Sequence, residues 1–481
     1  MTINGEYDVV IVGAGVGGSS IASRLCSLGK KVLLLEKGDR LFSENKILDK
    51  PILFSSNNIE NVVKNVPLVE GLGGNSLIYG GQLSRFDNSC FESNVDQATT
   101  FPFKYSEIEP YYNQLEAIFS GAKPTHNKAE KELVFNFEKC GFESLSSTYA
   151  VRSLRGCDGC GGKLCKIKCK KDFYSELCNE FVKSGLLTTV CGVNIKKINI
   201  IKRKVKSISY DLKGAECEIR TSALVLSAGA LRTPELIKKH LSGSITNELK
   251  NKIGKGLAFH VSDFYLLYPK FLTTGSTSTA KILNGRLNFL SSENSNLKHT
   301  IQSVGAPIKT EYIERFILRR LPGQMAQNPL IQRLIKSFSR VAEWTGSKAH
   351  VVATIIQDPM LEENKVDENI NSQNIKVSYS ISADFNVAIK KIDKQIRNAL
   401  KKKFFVVGLG GLGNINYGHP MGGCAMGHAA IFPVNKHGRL KELKNVYIAD
   451  SSVFPVSGDT NPSLTIAAVA FRTADQLLTE I

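Results

Sequence analysis

A histidine and an asparagine near the C-terminal end are the side chains best suited to carry a reaction. His419 lies in a glycine-rich turn at 419–424, and Asn461 precedes Pro462 at the start of an amphipathic helix pattern. An imidazole on a rigid turn can remove a proton, and a carboxamide can hold the oxygen that loses it. Both also have structural interpretations, His419 as a hydrogen-bonded residue of the fold and Asn461 as a helix N-cap.

A second candidate site is a cysteine-rich, glycine-rich loop at 156–170. Cys160, Cys165 and Cys169 are spaced five and then four residues apart, and Cys157 precedes them. In a chain without a predicted export signal, this spacing favours an iron–sulfur or zinc centre over disulfides, with a metal-free loop as the alternative. The lysines of the loop would raise the potential of a cluster, or lower thiol pKa values without one.

The element that would bring a cofactor to these residues lies at the other end of the chain. An apolar strand pattern leads into Gly13, Gly15 and Gly18, a helix pattern follows, and a second apolar strand ends in Glu36. The first glycine allows the tight turn, the second lets the backbone approach a pyrophosphate, and the third lets the helix pack on the strand. Glu36 is placed to accept from a ribose hydroxyl. This order predicts a Rossmann-type dinucleotide site with phosphates at the helix N-terminus.

Two further patterns bear on that site. The stretch at 71–81 is rich in glycine, which indicates either tight turns or backbone lying close to a ligand. An apolar strand at 223–230 ends in small residues, and Thr233-Pro234 begins a helix. A second strand–turn–helix unit fits the same parallel sheet, so we predict an α/β fold.

Length and charge limit the class of protein. The 481 residues are 42% hydrophobic and 22% charged, which predicts a globular chain of two domains. No apolar run reaches the roughly 20 residues that cross a bilayer, and no secretory leader is recognised, so we expect a cytoplasmic protein. The net charge of +18 comes from scattered lysines, which argues against nucleic acid and favours solvated, lysine-rich helices. An acidic partner, a membrane surface and an anionic substrate are the alternatives.

The central part of the chain predicts a separate domain. Beyond residue 260 the glycine signals become rare, and strand-like runs alternate with helix patterns, which indicates an antiparallel sheet with helices. The basic amphipathic stretch at 315–344 favours a helix that covers this domain over a membrane-surface or lid role. The apolar run at 404–407 is interpreted as the return to the first domain.

These motifs together resemble the glucose–methanol–choline (GMC) oxidoreductases. The glycine motif with Glu36 and the blocks at 71–81, 227–234, 419–424 and 438–462 occur in the family's order and span nearly the whole chain. The His-Pro-x-Gly-Gly-Cys form and the Asn-Pro step are most similar to cholesterol oxidase and the bacterial FAD-dependent sugar and sugar-acid dehydrogenases. The resemblance implies a Rossmann-type FAD-binding domain at 1–260 and 405–481, and an α+β substrate-binding domain on an antiparallel sheet at 261–404.

The resemblance also implies roles for particular residues. His419 would be the general base and Asn461 the group that holds the substrate oxygen, both facing the flavin. FAD would be bound noncovalently, because the block at 71–81 has no histidine for attachment. The cysteine loop is similar to that of glucose dehydrogenases with a three-iron cluster, which favours Cys160, Cys165 and Cys169 as ligands over Cys157. Other implied cofactor contacts are Gly73, Gly74, Asn75, Ser76, Ala228, Gly229, Asp450, Pro462, Ser463 and Leu464.

The activity implied by the resemblance is oxidation of a CH–OH group of a small-molecule alcohol, such as a sugar or aminosugar. Hydride would pass to flavin N5, and electrons would leave, through a cluster if one is present, to an electron-acceptor protein or small subunit. Two alternatives stay open. One is an alcohol or sterol-type oxidase that uses oxygen and has no cluster, and the other is a noncatalytic flavoprotein redox subunit.

Overall fold

The structure is a computed structural model, in which helices and strands occur from Tyr7 to Glu480. No helix in the part that it describes combines the length and apolarity needed to cross a membrane. The described residues are 6–38, 50–56, 59–66, 68–91, 100–121, 128–144, 147–152, 164–165, 168–270, 284–287, 299–303, 310–318, 321–346, 349–367, 375–408, 415–428 and 431–480.

The strands of these residues form two large sheets and two small ones. In chain order they are β1 (Tyr7–Val12), β2 (Val32–Leu35), β3 (Lys50–Ser56), β4 (Ile59–Val66), β5 (Gln82–Leu83), β6 (Phe142–Ser144), β7 (Thr148–Tyr149), β8 (Leu187–Val190), β9 (Val193–Ile201), β10 (Lys204–Leu212), β11 (Ala215–Leu226), β12 (Ala258–Val261), β13 (Phe264–Pro269), β14 (Asn284–Leu287), β15 (His299–Ser303), β16 (His350–Ile356), β17 (Lys365–Val366), β18 (Lys376–Ser378), β19 (Phe404–Gly408), β20 (Ile415–Met421) and β21 (Val446–Ile448).

The helices lie between these strands and after the last of them. In chain order they are α1 (Val16–Ser27), α2 (Tyr105–Phe119), α3 (Lys128–Lys139), α4 (Phe173–Ser184), α5 (Arg232–Leu241), α6 (Asn247–Lys252), α7 (Thr310–Leu318), α8 (Gly323–Gln327), α9 (Pro329–Gly346), α10 (Ala383–Leu400) and α11 (Ser463–Glu480).

The first large sheet carries the dinucleotide motif. Its parallel strands lie in the order β8-β2-β1-β11-β21, and β10 and β9 continue it antiparallel from the first half of β11. β2 is buried along its whole length, as expected for a parallel strand covered on both faces. Helix α1 packs against α11 and α4. The predicted Rossmann-type α/β domain is confirmed.

The second large sheet is antiparallel, as predicted for the central domain. Its strands lie in the order β19-β13-β16-β15-β14-β6, and β12 pairs with both β16 and β20. Helix α10 buries a stripe of apolar residues in the same hydrophobic cluster as β13 and β16. The stripe recurs every three or four residues, which is the spacing of one helix face. It consists of Phe385, Ile389, Ile392, Ile396 and Leu400.

This second sheet extends beyond the limits of 261–404 predicted for the substrate domain. β19 pairs with β13, β20 pairs with β12, and β6 pairs with β14. The chain therefore rejoins the parallel sheet at β21 and not at residue 405. The apolar run at 404–407 indicates a strand, but its composition does not say which sheet it joins. His419 lies on β20, so the antiparallel sheet positions this candidate catalytic residue at the junction of the two domains.

The basic stretch at 315–344 is divided among α7, α8 and α9. Pro322 precedes α8 and Pro329 is the first residue of α9, positions where proline interrupts one helix and begins another. Helix α7 packs against α9. Ile335 of α9 is buried, as the predicted covering helix requires, while other apolar residues of α9 face solvent.

Candidate active site

A cavity of about 1310 Å³ is walled by residues of both large sheets. Its dinucleotide half is formed by the strand–turn–helix motifs of the parallel sheet. Its other half is formed by β13, β15, β16 and β20 of the antiparallel sheet, with one residue from α7. The residues that line this second half include Ser262, Phe264, Gln302, Ser303, Ile313, Val351, Ala353, Ile355, Asn416, Gly418 and His419.

The glycine turn after β1 leaves an open space at the N-terminus of α1. Gly13 has φ +102°, and a Cβ there would lie 2.3 Å from the carbonyl oxygen of Ser227, so only glycine fits. Gly18 also has no room for a side chain, because a Cβ added there would lie 1.8 Å from the carbonyl oxygen of Gly13. A Cβ on Gly15 would meet nothing within 4 Å, although this residue lines the cavity. The free space beside a helix N-terminus fits a dinucleotide pyrophosphate.

Glu36 lies at the end of β2 and lines the same cavity. It is buried, and its carboxylate accepts from the backbone N–H of Ala14 at 2.8 Å and of Gly38 at 2.9 Å. Burial raises the pKa of Glu36, and these two amides act against that rise. The two hydrogen bonds hold the carboxylate at the cavity wall, where its remaining lone pairs suit a ribose hydroxyl.

Asp450, at the end of β21, ties the second turn to the first sheet. One oxygen accepts from the backbone N–H of Gly229 at 2.8 Å and from the hydroxyl of Thr233 at 2.6 Å, and the other accepts from the N–H of Ser452 at 2.8 Å. Burial raises the pKa of Asp450, and the hydrogen bonds from Gly229, Thr233 and Ser452 to its carboxylate oppose this rise. These bonds hold the turn that follows β11 against the cavity.

His419 contacts a second histidine that the sequence analysis did not select. His260, on β12, is fully buried, and its Nε2 lies 2.8 Å from the carbonyl oxygen of Ser457, which can only accept. Burial lowers the pKa of His260 to about 4, so the ring is neutral near pH 7 and its proton is on Nε2. The Nδ1 of His260 is then an acceptor, and it lies 2.9 Å from Nδ1 of His419.

This contact determines the tautomer of His419. Its Nδ1 must carry a proton to donate to His260, so Nε2 of neutral His419 holds the lone pair. Asn416 Nδ2 lies 3.4 Å from the same Nδ1, near the limit of a hydrogen bond, so the shorter contact to His260 dominates. Neutral His419, which lines the cavity, therefore has its ring lone pair at Nε2.

For the FAD-dependent reaction that the sequence resemblance implies, we predict that His260 positions His419 and takes no direct part. His260→Leu removes the acceptor for Nδ1–H of His419, so the rate of flavin reduction should fall roughly 10–100-fold, a size typical of residues that orient a histidine. His260→Gln should restore most of the rate, because an amide can accept from His419 and donate to Ser457. Stopped-flow flavin reduction measures both. Equal rates for the two variants would contradict this role.

Asn461 is held across the domain junction. Its Nδ2 donates to Oε1 of the buried Gln302 at 3.0 Å, and Nε2 of Gln302 lies 3.2 Å from the hydroxyl of Thr460. An amide nitrogen has two N–H groups, so one is engaged and the second can serve a ligand. Asn461 and His419 both line the cavity, as does Gln302.

Most of the catalytic and cofactor-binding residues predicted from the sequence line this cavity. Four of the predicted cofactor contacts do not line it and support the residues that do. Gly18 and Gly73 support the turns, Ser76 accepts from the N–H of Phe173 at 3.1 Å, and Leu464 is core. The lining set comprises Gly13, Gly15, Glu36, Gly74, Asn75, Ala228, Gly229, Asp450, His419, Asn461, Pro462 and Ser463.

Part of the cysteine loop can be located. Cys157 and Cys160 lie outside the described residues, while Sγ of Cys165 and Sγ of Cys169 are 3.3 Å apart. The N–H of Cys169 donates to Sγ of Cys165 at 3.3 Å. Among the described residues, no group of three or more potential metal ligands is found.

Comparison with known proteins defines the class. A family model described as GMC oxidoreductase matches residues 411–470, and one described as an NAD(P)-binding Rossmann-like domain matches residues 11–45. An uncharacterized GMC-type oxidoreductase of Sinorhizobium fredii is 22% identical over 98% of this chain and 95% of the relative. The paromamine 6'-oxidase of Streptomyces fradiae is 22% identical over 97% of this chain and 90% of the relative. The fructose dehydrogenase large subunit of Gluconobacter japonicus is 21% identical over 98% of each chain.

Solved structures show the same fold. Pyridoxine 4-oxidase from Mesorbium loti superposes with a TM-score of 0.68 at 16% identity, covering 99% of this chain and 100% of the other. A formate oxidase of Aspergillus oryzae, solved as a variant to examine FAD modification, superposes with a TM-score of 0.60 at 14% identity, covering 100% of this chain and 99% of the other. The fold and the site define an FAD-binding oxidoreductase of the Rossmann type. The chain is thus similar to GMC-type oxidoreductases over nearly its whole length, and its residues 411–470 match that family's model.

Proposed function

We propose that this protein oxidises the CH–OH group of a small-molecule alcohol, with FAD as its noncovalent cofactor. The observation that carries the proposal is the contact of His419 Nδ1 with His260, which leaves the lone pair of His419 at Nε2, in a residue that lines the same cavity as the glycine turn and Glu36. A base beside a dinucleotide site is what removal of a hydroxyl proton requires. The named relatives support the substrate class, since they include an oxidase of paromamine and a fructose dehydrogenase.

The protein's own residues supply binding, orientation and proton transfer. The turn at Gly15 and the carboxylate of Glu36 would hold the dinucleotide, and the start of α11 beside Asn461 would face its reactive part. FAD, when bound, supplies the acceptor of the hydride at N5. His419 Nε2 takes the hydroxyl proton, while the second N–H of Asn461 holds the substrate oxygen.

The direct test is anaerobic flavin reduction. Purified protein with its FAD is mixed with primary and secondary alcohols, sugars and aminosugars, and the flavin absorbance is followed. The proposal expects at least one alcohol to bleach the flavin. A flavin that dithionite reduces and that no alcohol in the panel reduces would instead favour a noncatalytic redox subunit.

We further propose that the cysteine loop holds an iron–sulfur cluster on Cys160, Cys165 and Cys169. The proposal is supported by the facing thiols of Cys165 and Cys169 and by the N–H···S hydrogen bond between them, a contact that tunes clusters. Lys170, the next residue, donates to the carbonyl oxygen of Tyr79 at 2.9 Å, and Tyr79 lines the cavity. A cluster there would lie close to the cofactor site.

The cluster proposal predicts iron in the purified protein. Anaerobic purification should give about three iron atoms per chain, the number in the family's cluster type. Cys165→Ser should lose the iron and keep FAD, whereas Cys217→Ser, a half-exposed cysteine of β11, should keep both. Metal analysis and absorbance spectra measure this. A wild-type protein with a flavin spectrum and no iron would remove the cluster and favour an oxidase that passes electrons to oxygen.

The electron acceptor that we propose is a carrier protein or a small subunit. One relative is named as a large subunit, which supports a partner in this family. The net charge of +18 would favour an acidic carrier by long-range attraction. A steady-state rate that rises with an added carrier and falls with salt would support this partner.

A further inference from the structure

Helix α9 presents a line of apolar side chains to solvent. Leu330, Leu334 and Phe338 recur every four residues and are 68%, 70% and 61% exposed. Residues four apart lie on the same side of a helix, so the three side chains form one stripe about 12 Å long. Ile335 and Ser339 are buried, so it is another side of α9 that packs against the protein. Exposed apolar groups arranged in this way mark a contact surface.

Basic side chains accompany the stripe on the same helix. Arg333, Lys336 and Arg340 are all exposed. At 100° per residue, Arg333 and Arg340 lie about 160° and 140° from buried Ile335, and Lys336 lies beside the face that contains Ser339. The acidic residue of α9, Glu343, accepts from the backbone N–H of Thr310 at 2.8 Å at the start of α7. The outward surface of α9 is therefore apolar and positive, and it suits an anionic partner.

A bilayer with anionic headgroups fits this surface better than a protein does. Three large side chains cover on the order of 500 Å², whereas a specific protein interface usually buries about 1,000 Å² or more. An apolar stripe with lysine and arginine on the polar side is the pattern of a helix that lies in the membrane interface. We propose that α9 docks this protein reversibly on an anionic membrane surface, with Leu330, Leu334 and Phe338 in the lipid and the basic residues at the headgroups.

The docking surface is one helix away from the cavity. Helix α7 packs against α9, and Ile313 of α7 lines the cavity. A docked protein would therefore hold the substrate half of its cavity near the lipid. The inference concerns location and does not depend on alcohol oxidation, so either proposal can fail without the other.

Vesicle flotation tests the proposal on the full chain with FAD bound. The protein should float with vesicles of phosphatidylcholine and phosphatidylglycerol, bind pure phosphatidylcholine more weakly, and dissociate as salt is added. The double variant Leu334→Glu, Phe338→Glu should lose about tenfold or more of the binding, because two charges enter the apolar layer. Arg333→Glu with Arg340→Glu should weaken binding to the anionic vesicles alone.

A matched control uses an apolar residue exposed elsewhere. Ile201→Glu, at the end of β9, should bind vesicles like the parent protein. Flavin absorbance shows that each variant keeps its fold. Absence of parent binding to phosphatidylglycerol vesicles, or full binding by the Leu334→Glu, Phe338→Glu variant, would overturn the proposal. So would a parent dimer that this variant converts to monomer without any vesicle binding, since the occupant would then be a second copy.

Discussion

His419→Ala should bind FAD like the parent protein and lose most of its flavin reduction by substrate. The imidazole is the group whose lone pair, at Nε2, is set by the contact with His260. Removing a general base lowers the rate by roughly 10²–10⁴-fold, equivalent to about 3–5 kcal/mol of barrier. Because the glycine turn and Glu36 are unchanged, the flavin spectrum should persist. Anaerobic stopped-flow with a reducing alcohol measures the loss.

The control for this variant is another histidine. His428 is exposed on the same part of the chain, and His428→Ala should reduce flavin at the parent rate. The rate of His419→Ala should also be independent of the His260 substitutions, since the residue that they position is gone. Reduction by His419→Ala at the parent rate would mean that another group removes the proton.

Gly15→Val should fold and fail to hold FAD. Gly15 has φ −74° and ψ −160°, which an L-residue adopts without strain, and a Cβ there meets no protein atom within 4 Å. The added side chain would occupy the space assigned to the pyrophosphate. We expect the Kd for FAD to rise by about 100-fold or more, or about 2.7 kcal/mol. Fluorescence titration of apoprotein with FAD measures the affinity, and thermal unfolding of the apoprotein tests the fold.

Two other glycines make this prediction specific. Gly243→Val, at an exposed glycine that also has no neighbour within 4 Å, should change neither FAD affinity nor folding. Gly13→Val should prevent folding, because its Cβ would collide with the carbonyl of Ser227. A Gly15→Val protein that binds FAD with parent affinity would exclude this turn as the pyrophosphate site.

The cofactor half of the site could be predicted because its determinants are local. The turn at Gly13, the helix start at Gly15 and the acid at Glu36 all lie within one strand–helix–strand unit, where the backbone geometry demands those residue types. The open space at Gly15 and the close packing at Gly18 agree with the roles assigned from the motif. The spacing of these residues along the chain was therefore enough to predict the cofactor half of the site.

The other half depends on contacts between distant segments. His260 and His419 are 159 residues apart, as are Gln302 and Asn461, and no periodicity links such pairs. His260 carried a signal, a histidine in an apolar run, but a lone histidine is usually a structural residue. The second sheet continues past residue 404 for the same reason, since the pairing of β19 with β13 is decided by tertiary packing.

Helix α9 illustrates a different limit. The period of its apolar residues predicted an amphipathic helix, and the structure has one. Periodicity does not say which part of an apolar face meets the protein. Ile335 does so, while Leu334 and Phe338 face outward. That division creates the surface proposed for membrane docking.

Anaerobic reduction of the bound flavin by alcohols, in the parent protein and in His419→Ala side by side, tests the central claim most directly. We expect that at least one primary or secondary alcohol bleaches the parent flavin and that the variant, with the same FAD content, is slower by about 100-fold or more. A parent flavin that only a chemical reductant bleaches, or equal rates in the two proteins, would contradict it.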